Sequence, residues 1–167
     1  MEDKTFLEKY HGQSVDDLLA MEKTHRLDSI VLAFEAALDQ KRARLGDGSI
    51  SETEWVILAV ESLEREVNNG GFDQFFTNPS YEFVPSILEI LEKISCPNVA
   101  AITKKAINAL GLQQYDFDSI VERVNEDDSI LKTILTKCDK EFYEYPDDIE
   151  SRLFSYVKEN RKYIRFS

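Results

Sequence analysis

The chain has 167 residues, the size of one domain with its own apolar core. It holds 32 Asp and Glu against 20 Lys and Arg, a net charge of −12, so nucleic-acid phosphates and anionic membranes repel it and a basic protein partner is favoured. Apolar residues make up 43% and charged residues 31%, with six Gly and four Pro, which excludes a collagen-like, low-complexity or wholly disordered chain.

Cys96 and Cys138 lie 42 residues apart in no recognised spacing. They read as two separate reduced thiols rather than a disulfide or metal pair. The opening MEDKTFLEKYHG has no apolar run of the signal-peptide kind, and the apolar run Trp55 to Val60 is far too short to span a bilayer. A cytoplasmic protein with no membrane partner is expected.

In chain order, residues 3–10 read as a short helix. Ser14 followed by Asp17 marks a helix start that runs through Val15, Leu18, Leu19 and Met21. Leu27, Ile30, Val31, Phe34, Leu38 and Leu45 then recur at helical steps and form one face. Asp28, Glu35, Asp39 and Arg42 fall on the opposite side, and Gly46-Asp47-Gly48 ends the helix.

Ser51 and Glu54 form a capping box. The helix it opens carries Trp55, Val56, Leu58, Ala59, Val60, Leu63 and Val67, and leaves a narrow stripe of Glu54, Glu61, Glu64 and Arg65 for water. It ends at Asn68-Asn69-Gly70-Gly71. Phe72 to Phe76 reads as a short helical turn, broken by Thr77-Asn78-Pro79-Ser80.

Pro85 opens a helix through Ile94, and Ser95-Cys96-Pro97 stops it and starts the next, which Gly111 ends. Residues 118–125 read as a short helix. Asp128 or Ser129 caps a longer one through Phe142, and Pro146 separates it from a last helix with Ile149, Leu153, Phe154 and Val157. No strand and no linker emerges, so the expected fold is all-α, a compact single-domain multi-helix bundle over residues 1–167.

The charge is segregated. Residues 47–92 hold ten acidic residues against Arg65 alone, and residues 116–150 hold twelve acidic against four basic. Residues 151–167 are net positive. A solvated face is the plain reading of such blocks. The sharper one is a polyanionic docking surface. Glu54 and Glu61 are seven residues apart, about 10.5 Å along a helix, and i, i+4 neighbours lie about 5–6 Å apart, so rows of carboxylates can resemble duplex phosphates. The basic tail, Lys158 to Arg165, complements the negative end of the last helix or an acidic block of a neighbouring subunit.

No catalytic motif is present. His11 and His25 lie in different elements without ligand spacing, and the chain has no GxSxG, P-loop, GxGxxG, HExxH or paired CxxC. Glu126-Asp127-Asp128 lacks the alternating ligands of a calcium loop. No catalytic residue, metal or cofactor is expected. Glu66 is unusual, since the helical wheel puts it in the apolar sector beside Trp55 and Ala59. A buried carboxylate needs donors, and the nearest are the amides of the Asn68–Gly71 turn. Structural bracing is the first reading; a catalytic acid or a ligand group with a shifted pKa is the other.

The stretch Glu66-Val67-Asn68-Asn69-Gly70-Gly71-Phe72-Asp73-Gln74-Phe75-Phe76-Thr77-Asn78 resembles the E-V-x-N-G-G-F-x-Q-F/Y-F-x-N signature of the bacterial family typified by the Neisseria DNA-mimic protein. The resemblance is specific over these thirteen residues and weaker over residues 50–110. It implies an all-helical fold, a homodimer as one available assembly, and an acidic surface that imitates duplex DNA. The implied partner is a DNA-binding protein such as a helix-turn-helix transcription factor. Within the motif, Phe72, Phe75 and Phe76 are expected in the core and Gly70 and Gly71 in the turn, with Asn68, Asn69, Gln74 and Asn78 satisfying exposed backbone ends.

The expected function is therefore non-enzymatic binding of a basic partner through Glu54, Glu61, Glu64, Asp116, Asp118, Glu122, Asp127 and Asp128. The rivals are an immunity or inhibitor protein for a basic nuclease toxin, a small-ligand binder or enzyme built around Glu66 and the Asn68–Gly71 turn, and a helical scaffold with no electrostatic role.

Overall fold

The computed structural model describes residues 3–167. The protein is all-α. Eight α-helices are found among the described residues: α1 (Val15–Ala20), α2 (Leu27–Leu45), α3 (Glu52–Thr77), α4 (Ile87–Lys93), α5 (Pro97–Leu110), α6 (Phe117–Asn125), α7 (Ser129–Tyr143) and α8 (Ile149–Glu159). The described residues fold as two compact units, one from residues 3–61 with 150–167, the other from residues 62–149.

In the first unit, α1 begins at the capping box that Ser14 and Asp17 announce: the Ser14 hydroxyl accepts from Asp17 N at 3.1 Å, and Asp17 Oδ2 accepts from Ser14 N at 3.0 Å. α1 packs on α2, with Leu18, Ile30, Phe34 and Leu38 fully buried. Gly46 closes α2 at a φ of +82°. Phe166 meets Tyr10 and Phe34 edge to face, with ring centres 5.8 Å and 5.5 Å apart.

Two expectations fail in this unit. Residues 3–10 are not helical. Thr5 N donates to Thr24 O at 3.0 Å and Arg26 N to Thr5 O at 2.9 Å, an isolated parallel bridge that takes up the backbone groups a helix would use. So short a segment, without a cap, does not hold a helix on its own. In α2, Glu35 is buried with the apolar face, whereas Leu45 is 59% exposed. Lys41 is also buried, so packing extends round the helix beyond the apolar stripe.

In the second unit, α5 packs against α4, α6 and α7. Pro97 stands at the first turn of α5, and Gly111 ends it in the left-handed region. Phe72, Phe75 and Phe76 are fully buried. The Phe72 ring lies 6.0 Å from Phe142, perpendicular to it. Cys96 and Cys138 are buried thiols. Among the described residues, no helix is long and apolar enough to cross a membrane.

Candidate functional site

Most of the residues singled out by sequence lie at two places in the second unit. The first is the break in α3. The helix is continuous up to Asn69, then Gly70 (φ −159°, ψ 18°) and Gly71 (φ +76°, ψ −175°) leave helical geometry. Only glycine takes the Gly71 conformation without strain. A break of this kind leaves carbonyls unpaired before it and amides unpaired after it. Val67 O would accept from Gly71 N in an unbroken helix; here it accepts from the Tyr143 hydroxyl at 2.9 Å. Phe72 N, at the start of the second half, donates to Asp139 Oδ1 at 2.8 Å. Both partners come from α7. Asn68 Nδ2 donates to the Tyr145 hydroxyl at 2.8 Å, just past the end of α7.

Glu66 is buried, as the helical wheel implies. Its donors differ from those expected. Gln74 Nε2 and Asn78 Nδ2 each donate to Glu66 Oε2 at 2.7 Å, in place of the backbone amides of the turn. Arg65 Nε lies 3.4 Å from Glu66 Oε1. Gln74 and Asn78 therefore serve a carboxylate rather than exposed backbone ends. The kink swings the second half of the helix so that positions eight and twelve residues on reach back. Asn69 is exposed.

Asp139 and Asp73 flank the break, and partial desolvation raises both carboxyls above the ordinary aspartate value, although Asp73 keeps an exposed surface. The Phe72 amide pulls Asp139 back down, and the charge of Asp73 pushes it further up. Asp139 was not singled out from sequence, because nothing in the periodicity of α7 marks it.

The second place is the acidic run around α6. Asp116 caps α6, accepting from Ser119 N at 3.0 Å and Ser119 Oγ at 2.7 Å, and these bonds lower its pKa. Asp118 and Glu122 are exposed four residues apart on α6, hence neighbours on one face. Asp128 caps α7 through Ile130 N and Leu131 N, at 2.9 Å and 3.0 Å, and pairs with Arg123 Nη2 at 2.8 Å. The Leu131 amide, then Arg123, hold its carboxyl below the usual range. Arg123 also binds Glu126 at 2.7 Å and donates to Leu110 O. Asp127 is fully exposed, 3.1 Å from Lys132 Nζ. On α7, Lys132, Lys137 and Lys140 line a shallow groove of about 380 Å³, so cations interrupt the acidic run there.

The first acidic block is corrected more strongly. Glu54 has no exposed surface. Its carboxylate accepts from Lys41 Nζ at 2.9 Å and 2.7 Å, from Ser51 N at 2.8 Å and from Arg165 N at 2.7 Å. Glu61 is also buried, at 4% exposure. Neither residue belongs to a docking surface, because α3 is packed all the way round where they stand and Glu54 is consumed by its own capping box and by Lys41. Glu64 is half-buried. Asp118, Glu122, Asp127 and the cap Asp116 are the predicted partner-facing carboxylates that solvent reaches most openly.

No curated protein matches the chain. A family model does: that of the DMP19-like proteins, over residues 48–160. The span takes in α3 with its Gly-Gly break, the bracket on Glu66 and the whole acidic run from Asp116 to Asp128. Since the match covers well over half of the sequence, the chain belongs to the DMP19-like protein family.

Proposed function

We propose that this protein is a DNA mimic that occupies the nucleic-acid site of a basic DNA-binding protein, such as a transcription factor, and excludes DNA from it. One observation supports this above the others. Residues 62–149 hold 17 acidic and 8 basic residues, net −9 of the chain's −12. This unit lies wholly inside the span matched by the family model, and α6 displays Asp118 and Glu122 side by side in solvent. Asp116 and Asp127 extend the charge at either end of α6. Binding carboxylates in place of phosphates needs no chemistry from the mimic, only charge that the partner's site already accepts.

The carboxylate of Glu66 is engaged by Gln74 and Asn78, which supports bracing of the kink over a catalytic or ligand-binding role for that residue.

The test is capture of partners from the source cell at low salt on the immobilised protein, with a salt-step elution and a parallel elution with duplex DNA. A DNA-binding protein released by both is the expected result. Retention at high salt, or indifference to competing duplex, would overturn the reading.

A further inference from the structure

The first unit carries the opposite charge at one place. The segment that follows α8 turns through residues 161–163 and runs back past α2 and the start of α1. There it forms an open groove of about 860 Å³. Arg44, Arg161, Lys162 and Arg165 line it, and Asp16 is the acidic side chain in the lining among the described residues. Four cations lining one groove, Arg44 from α2 and three from the segment after α8, are conspicuous in a chain with a net charge of −12.

The groove is held in shape by contacts that leave its cationic side chains available. Phe166 is anchored by its ring contacts with Tyr10 and Phe34. Arg165 N is tied to the buried Glu54 carboxylate at 2.7 Å, and Ser51 Oγ donates to Tyr163 O at 3.1 Å. The backbone of the wall is therefore fixed while the side chains of Lys162 and Arg165 remain exposed. Arg44 donates to the carbonyls of Gln40 and Phe166, at 3.3 Å and 2.9 Å; neutral acceptors orient a guanidinium without cancelling its charge. Arg161 is bonded to Asp16, an exposed pair that an incoming anion can exchange at small cost.

We infer that this groove binds a small molecule carrying a di- or triphosphate. Guanidinium forks suit phosphate oxygens. With Asp16 counted, these five side chains carry a net charge of +3, which the charge of two or three phosphate groups neutralises, and the volume lies in the range of small-molecule sites. Tyr10 and Phe166 add aromatic surface for the organic part of such a ligand. A long nucleic acid is disfavoured, because a chain with a net charge of −12 repels an extended run of phosphates.

Isothermal titration of the full chain with inorganic tripolyphosphate and with ATP, at low and physiological salt, tests this. Saturable one-to-one binding is expected, weakened about tenfold by Lys162→Ala and by Arg165→Ala, each the loss of one charge-assisted contact. Asp16→Asn is expected to tighten binding, since it removes the anion that competes for Arg161. The far-ultraviolet circular dichroism of each variant serves as the check on folding. The inference is overturned by an absence of binding to either probe, by affinities unchanged in well-folded Lys162 and Arg165 variants, or by citrate binding as tightly as tripolyphosphate. None of these results bears on capture of a partner by α6, so the two proposals fail separately.

Discussion

Lys41 Nζ lies 2.7 Å from Oε2 and 2.9 Å from Oε1 of Glu54, and both side chains are buried. The contact joins α2 to the start of α3 within the first unit. The same carboxylate closes the capping box with Ser51 and receives Arg165 N. Four hydrogen bonds from three donor groups thus replace the water that Glu54 loses, which is the condition for burying a charge at all.

Removing one partner leaves the other charged and buried. Glu54→Ala and Lys41→Met are each expected to destabilise the protein by about 3–5 kcal/mol, read from urea unfolding. The double variant Lys41→Met with Glu54→Ala is expected to lose less than the sum of the two single changes. Additive losses would show that the pair is not coupled.

At the kink, both amide donors converge on one oxygen of Glu66. Glu66→Gln keeps a carbonyl oxygen that can receive them and is expected to cost about 1 kcal/mol. Glu66→Ala strands two partly buried amides and is expected to cost about 2–3 kcal/mol. Equal losses for the two variants, measured by chemical denaturation, would mean that the amides do not depend on Glu66.

Gly71 is the position least tolerant of a side chain. A methyl group there would sit 2.4 Å from Asp139 Oδ2, in a backbone conformation with φ +76°. Asp139 cannot simply withdraw, because it holds Phe72 N. Gly71→Ala is expected to destabilise by about 2–3 kcal/mol. In Asp139→Ala the steric part of that loss should disappear, so the two changes together should cost less than their sum.

The carboxylates divide by sign in their response to acid. Asp128 is held below its ordinary value of 3.8 by the Leu131 amide and Arg123. Its stabilisation is present above that value and is lost as pH falls through the lowered folded pKa. Asp139 is raised above 3.8 by burial, so its contribution is present below that value and is lost as pH rises through the raised one. In thermal melts from pH 7 to pH 2, the deficit of Asp128→Asn relative to the parent is expected to shrink toward acid. The effect of Asp139→Asn should run the other way, with Asn gaining on the parent as pH rises.

On α6, Asp118→Lys together with Glu122→Lys reverses the charge at two exposed positions. The melting temperature is expected to stay close to the parent's, while affinity for a partner captured at low salt falls at least about tenfold. The equivalent change at Glu54 and Glu61 would disrupt folding, so it does not report on binding.

Much of the architecture is local and therefore legible in the sequence. The box of Ser14 with Asp17, the box of Ser51 with Glu54, the stops at Gly46 and Gly111 and the start at Pro97 each act within one helical turn, and each is found where the sequence places it. The thirteen-residue signature likewise marks the family, and its three phenylalanines are fully buried. Burial of charge is not local. Whether Glu54 faces water depends on Lys41, thirteen residues away, and on the amide of Arg165, 111 residues away. The partners of Glu66 become visible only once the Gly70–Gly71 break has turned the chain back on itself. The sequence by itself determined the long helices, the acidic excess and the family, because caps, periodicity and composition act at short range or by simple count. Only the tertiary structure decided which carboxylates remain in solvent, because that follows from which distant donors the fold carries to each one.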